Sequence, residues 1–260
     1  MKYYVIDSFS EQLFTGNPAG VCLLEHEIPN SVMQKIAFEN NLAETAFLLE
    51  KEGKYHLRWF TPEVEIDLCG HATLATAFVV MNYVSPDIKE VKFETVSGTL
   101  TVTRKEQLYY MDFPNRMPTP VEQPSLLEQA IGCKILETHL SRDMLVLVES
   151  ENDVKNLNVD IELLKQINKD IAFAIVVTAK GNSCDFVSRF FAPNAGISED
   201  PVTGSSHSTL IPFWSERLGK TTMVAKQLSY RGGTLYCEYC GERVKIGGTA
   251  VCYLQGEIIL

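Results

Sequence analysis

Apolar and polar positions alternate in short runs along most of the chain, and the runs predict strands. "KYYVIDSF", "GVCLLE", "VKFETVSGTLTVTRKEQLYYMDF", "MLVLVE" and "VKIGGTAVCYLQGEIIL" are β-branched or aromatic, punctuated by Gly, Asn or charged turns. "TAFLLE" from Thr45 and "AIVVTA" from Ala174 add two more. "SVMQKIAFENN" and "SLLEQAIG" have the spacing of short amphipathic helices. Two further segments, Ala72–Val84 and Ser205–Leu218, are apolar on most sides, which predicts buried helices, each wrapped by a curved sheet. Pro212 is expected to kink or tighten the second of them near its first turns.

Part of this pattern occurs twice. "YHLRWFTP" (Tyr55–Pro62) and "FVSRFFAP" (Phe186–Pro193) both place an arginine, Arg58 or Arg189, two residues before the last Phe. Each is followed by acids, a glycine and a small-residue helix start, in "EIDLCGHATLATAFVV" and "SEDPVTGSSHSTLIPFW". Shared order with shared residues predicts a duplicated domain. Between the halves, "DFPNRMPTPVEQPSLLEQ" carries Pro114, Pro118, Pro120 and Pro124 and reads as an extended connector that could serve as a hinge. The expectation is an α+β chain with one domain over 1–116, a linker over 117–124 and a second domain over 125–260. The closing strand is a candidate to return to the first domain.

Composition narrows the function classes. The chain has 260 residues, 45% apolar and 22% charged, as an ordinary globular protein does. Its net charge of -10 argues against nucleic acid as a partner, though local groups could still hold a small anion. The N-terminus lacks a long apolar stretch of the signal-peptide kind, and no apolar run approaches the ~20 residues of a membrane span. Seven cysteines without framework spacing read as reduced thiols of a cytoplasmic protein. "CEYC", Cys237 to Cys240, lacks the second pair that zinc would want and reads as part of a hairpin, so no metal is expected. The Gly pairs in "YRGGTLY" and "KIGGTAV" match neither a P-loop nor a dinucleotide fingerprint, so no nucleotide cofactor is expected. A homodimer is the default among oligomers.

The chemistry concentrates at the two helix starts. A glycine there leaves the first N–H groups free to hold an anion, which makes Gly70, Thr203 and Gly204 candidate carboxylate binders. Asp67, Cys69 and His71 sit at the first start, and Asp200, Ser205 and His207 at the second. Asp, Ser and His invite a hydrolase reading, but "VTGSSH" is not a nucleophile elbow. Glu44, in "NNLAETAFLL", interrupts an apolar run, and a carboxyl group among apolar neighbours is poised for proton transfer near neutrality. The competing readings are plain: glycines that only turn the chain, histidines that only donate, a Glu44 that faces solvent. The corresponding "FAIVVTA" of the second half has no acid, so the halves would divide the labour.

"DSFSEQLFTGNPAGVCLL", "NLAETAFL", "RWFTPEVEIDLCGHATLA", "SRFFAPNAGISEDPVTGSSH" and "VKIGGTAVCYLQGEI" together resemble the phenazine biosynthesis PhzF-like family, relatives of diaminopimelate epimerase, over nearly the whole chain. The resemblance implies two similar epimerase-like domains, each a β-barrel-like sheet around a central helix, with the active site in the cleft between them. It further implies a cofactor-independent isomerase acting on a small carboxylic acid, with Glu44 as general acid/base and His71, Asp200 and Ser205 binding substrate or relaying protons. In the epimerase relatives one cysteine per half faces the substrate. Here those places fall on Cys69 and Thr203, which favours proton movement through Glu44 over two-cysteine racemisation. Epimerisation, hydrolysis through Cys69 or Ser205, and binding of a small acid without turnover are the alternatives.

Overall fold

The computed structural model describes residues 1–168 and 171–260. The chain is a mixed α/β protein with much strand and few helices, and it divides into two compact units, Met1–Asp112 with Gly247–Leu260, and Phe113–Ile246.

The first unit contains β1 (Lys2–Ser8), β2 (Asn17–Leu24), α1 (Asn30–Asn40), β3 (Glu44–Lys51), β4 (Lys54–Phe60), β5 (Glu65–Ile66), α2 (Gly70–Val79), β6 (Glu90–Thr95) and β7 (Gly98–Lys105), and leaves through β8 (Leu108–Pro114). β2 and β3 run parallel and antiparallel β4 follows. Parallel strands are commonly covered on both faces, and β3 shows why. Its side chains alternate, so Phe47 points into a cluster with Met33, Ile36 and Ala37 of α1. Glu44, Ala46 and Leu48 share the opposite face, against which α2 packs. Nine of the ten α2 residues are buried, which an all-round apolar helix requires. A π-helical turn over Val80–Val84 continues it.

The second unit holds β9 (Thr119–Pro120), α3 (Leu127–Ile131), β10 (Glu137–Leu140), β11 (Met144–Leu147), α4 (Glu151–Lys155), α5 (Ile161–Ile167), β12 (Ile175–Lys180), β13 (Phe186–Ala192), β14 (Ile197–Asp200), α6 (His207–Leu218), β15 (Thr222–Gln227), β16 (Gly233–Cys240) and β17 (Arg243–Gly248). Ile175, Val177 and Ala179 of β12 join α3, α4 and α5 in one apolar cluster. On the other face of β12, Thr178 accepts a hydrogen bond from the Trp214 indole of α6 at 3.0 Å, and Trp214 stacks on Phe186. Pro212 is accommodated inside α6, which runs through it to Leu218. Helices α4 and α5 were not foreseen from the sequence. Each is only five to seven residues long and is started by a side-chain cap, Ser150 or Asp160, rather than by a long apolar period.

The pairing order of one unit recurs in the other. β2–β3 parallel, β3–β4 antiparallel, β4–β5 short and β4–β6 parallel correspond to β11–β12, β12–β13, β13–β14 and β13–β15. The repeated arginines recur with their partners. Arg58 forks onto Glu65 (2.7 Å for both bonds) and lies over Phe60; Arg189 forks onto Glu199 (2.7 and 2.9 Å) and lies over Phe191. Fork and ring together fix the short strand that leads to each helix start.

Two expectations need adjustment. The boundary falls after Asp112, and the Pro-rich stretch belongs to the second unit instead of forming a separate linker over 117–124. Asn115 N–H donates to Glu242 O at 2.9 Å, Arg116 N–H to Ser208 O at 3.0 Å and Val121 N–H to Thr138 O at 3.0 Å. Proline withholds a donor only at its own position, so the residues between prolines still strap the segment down. The last strand, β18 (Ala250–Glu257), pairs along β1 in the first unit.

Candidate functional site

Glu44 opens β3 opposite Ala19 of β2 and is 7% exposed, so the solvent-facing alternative does not hold. His71, the second residue of α2, is 6% exposed, and its Nε2 lies 3.0 Å from Glu44 Oε2. Although the two atoms are at hydrogen-bond distance, the ring N–H is not aimed along the line between them, and neither has an aligned hydrogen bond among the described residues. At the other ring nitrogen, Asn17 Nδ2 lies 3.2 Å from Nδ1 and Cys69 Sγ 3.5 Å. With those donors Nδ1 accepts, and the ring proton sits on Nε2. Protonation of Nδ1 as well needs only that the Asn17 amide turn its oxygen inward.

Burial alone would lower the imidazole's pKa, but Cys69 and Glu44 outweigh it and hold His71 well above its ordinary value. Burial, then the Glu44 charge, push the Cys69 thiol up. Ser8 Oγ donates to His71 O at 2.8 Å and fixes the start of α2 from β1. The Gly70 and His71 amides have no acceptor among the described residues. Asp67 lies just upstream, where its carbonyl accepts from Ser97 Oγ at 2.9 Å.

Asn17 is a site residue that the sequence reading missed; its signal is the "GNP" turn entering β2. Gly16, at φ +72°, delivers it, and a Cβ there would meet Ser8 O at 2.3 Å, an atom of the strand backbone that cannot yield. Gly16→Ala is expected to cost about 1–3 kcal/mol of stability, read from the urea midpoint. An unchanged midpoint would show that this loop does not hold its shape through Gly16.

At the second helix start, Asp200 Oδ2 accepts a short hydrogen bond from Thr203 Oγ1. The Thr203 N–H, expected to bind an anion, is instead committed to Gln227 Oε1 at 2.9 Å, and Gln227 Nε2 donates to Asp200 O at 2.7 Å. Residues 204–206 form a tight turn and α6 starts at His207, two residues later than expected. The Gly204 and Ser205 amides have no acceptor among the described residues. His207 is fully buried and donates from Nδ1 to Thr203 O at 2.9 Å, a structural part within the turn.

Glu44, Cys69 and His71 bring a carboxylate oxygen, a sulfur and a ring nitrogen within 4.8 Å of one another, a set that a thiophilic divalent ion could use. The sequence search for metal ligands considered spacing along the chain and could not see it. Cys237 and Cys240, three residues apart on β16, face opposite sides of the strand, buried and exposed, and cannot share an ion.

A family model for phenazine biosynthesis-like proteins (PhzC/PhzF) matches residues 6–256. The chain belongs to this family. An uncharacterized isomerase of Pseudomonas aeruginosa is 44% identical over 260 residues, covering all of this chain and 99% of that protein. Another uncharacterized isomerase, of Halalkalibacterium halodurans, is 42% identical and covers 99% and 98%. The crystal structure of a PhzF-family protein of Enterococcus faecalis superposes with a TM-score of 0.97 at 50% identity, over 100% of this chain and 99% of that one. A probable proline racemase of Agrobacterium radiobacter, at 10% identity and a TM-score of 0.66, shares the fold alone. This PhzF-family protein is thus an isomerase. Among its described residues, no helix is long and apolar enough to cross a membrane.

Proposed function

We propose that the protein moves a proton within a small carboxylic acid, with Glu44 as the group that removes and returns it and no cofactor taking part. One observation carries this reading: Glu44 Oε2 and His71 Nε2 face each other at 3.0 Å, both buried and both without an aligned hydrogen bond among the described residues. Buried polar atoms need partners, and here each can still take one from a bound molecule. Glu44 takes the proton beside the acid's carbonyl or along its conjugated chain, and His71 supplies a proton or steadies the charge that develops. Asp200 and Ser205 are assigned to substrate binding or proton relay, and the amides at Gly70 and Gly204 to the carboxylate. Each domain is read as a sheet wrapped around its apolar helix, α2 or α6.

The test is turnover in deuterated water of those small acids, amino acids included, that raise the melting temperature. Solvent deuterium should enter the ligand. An acid that binds but is returned unlabelled and unchanged would make this a binding protein and end the proposal.

The 3.5 Å approach of Cys69 to His71 favours one second reading, epimerisation with Cys69 as a base. Against it, the thiol is pushed up and Thr203 stands where a second thiol would be needed. Cys69→Ser is therefore expected to keep most of its deuterium exchange, whereas an epimerase of that kind would lose nearly all of it.

A further inference from the structure

Beside the first turn of α6 lies a second set of groups that the proton chemistry does not use. The tight turn from β10 to β11 packs there: Ser141 Oγ is 2.9 Å from Thr209 Oγ1, and Arg142 Nη1 donates to Ser205 Oγ at 3.4 Å. The Pro-rich strap arrives at the same turn through the bond from Arg116 N–H to Ser208 O. The Arg142 guanidinium lies beside a single carboxylate, Asp143, whose charge the Arg116 guanidinium also feels. Arg142 Nε approaches Asp143 Oδ1 only to 3.9 Å, and its guanidinium lies over the Phe173 ring at 4.0 Å with about a third of the side chain exposed. Asp143 is fully buried, and neither of its oxygens has an aligned hydrogen bond among the described residues. Arg116 Nη1 is also buried without an acceptor among them.

The charges do not close. Two cations face one anion, and the free amides of Gly204 and Ser205 add to the positive side. Burial, and after it the charge of Arg142, push the Arg116 guanidinium below its ordinary value even though Asp143 opposes them. Desolvated like charges with an unused donor are unfavourable unless a further anion arrives. Guanidinium forks match carboxylates in geometry, and the Arg142 head is both partly open and in contact with Ser205.

We propose that Arg142 and Arg116 are specificity residues that receive a second carboxylate of the substrate, so that the acids this enzyme takes are dicarboxylic. The proposal rests on the assignment of Ser205 to substrate binding, and it leaves the proton chemistry at Glu44 as it stands.

Matched acids of equal length test it, butyrate against succinate and valerate against glutarate, titrated by thermal shift. The proteins are the wild type, Arg142→Gln, Arg142→Lys and Glu44→Gln. The wild type is expected to prefer the diacid of each pair by at least about tenfold in half-saturating concentration, the size of one charge-assisted fork. Arg142→Gln should bring the ratio toward one by weakening the diacid alone. Arg142→Lys should restore part of it. A wild-type ratio near one overturns the proposal without reference to any variant, as does a ratio that survives in Arg142→Gln. A purely structural ion network would instead weaken both acids of a pair equally. If the ratio holds while Glu44→Gln still exchanges deuterium, the proton reading falls and this one stands. A ratio of one with an inactive Glu44→Gln gives the reverse.

Discussion

Replacing Glu44 with glutamine is expected to slow deuterium exchange into the substrate by about 10²–10⁴-fold, the worth of one positioned acid–base group. Glutamine fills nearly the same volume and still reaches His71, but it cannot take up a proton at neutral pH. The fold should survive, because glutamine is nearly isosteric and His71, once its carboxylate partner is gone, can give up its proton and be buried neutral. His71 supplies a second readout. Its imidazole is held well above the ordinary value by Cys69 and Glu44, which outweigh burial, and in Glu44→Gln the carboxylate among them is gone. With that contribution lost, the His71 pKa followed by NMR should fall. A variant that exchanges as well as the parent would remove Glu44 from the mechanism. One that is inactive with an unmoved His71 would break the link between the two groups.

Acid should unfold the second unit partly through His207. Burial pushes this imidazole down to about 4 from 6.5, opposed only in part by its bond to Thr203 O. The sign follows from proton uptake. Below pH 6.5 the unfolded chain binds a proton that the native state refuses, so stability is complete above the unfolded value and falls with pH until about 4. Over that interval His207 alone should remove about 3 kcal/mol. His207→Gln keeps a donor for Thr203 O but does not titrate. It should start less stable at pH 7, having lost the ring beside Phe186, and lose less on acidification. Urea midpoints at neutral pH and at roughly pH 4.5 measure the difference. Equal acid losses in the two proteins would show that His207 takes its proton without unfolding.

What could be read from residues alone follows the range of the interactions involved. Strand alternation, the all-round apolar character of α2 and α6, and the Arg–x–Phe repeats are local, and they gave several of the strands, the two buried helices and the duplication, but not α4, α5 or the pairing plan. Glu44 stood out because one acid in an apolar run is a local anomaly, and period-two alternation even sets it on the face of β3 opposite Phe47. Asn17 was invisible for the opposite reason, since its value lies in meeting His71 across 54 positions of sequence. Thr203 misled because a glycine-led turn promises free amides, whereas Gln227, a side chain 24 residues away, claims one of them. The Arg116, Arg142 and Asp143 grouping is likewise a product of a strap and a hairpin turn arriving at the same place. Its members have no pattern in common along the chain.

The pairing of β18 with β1 has a consequence for how the molecule is made. As the polypeptide emerges from the ribosome, residues 113–246 are complete before the flank of β1 is covered by residues 250–257. The part made first is therefore the part finished last, and nascent β1 must wait with an open edge, the kind of surface on which chaperones act.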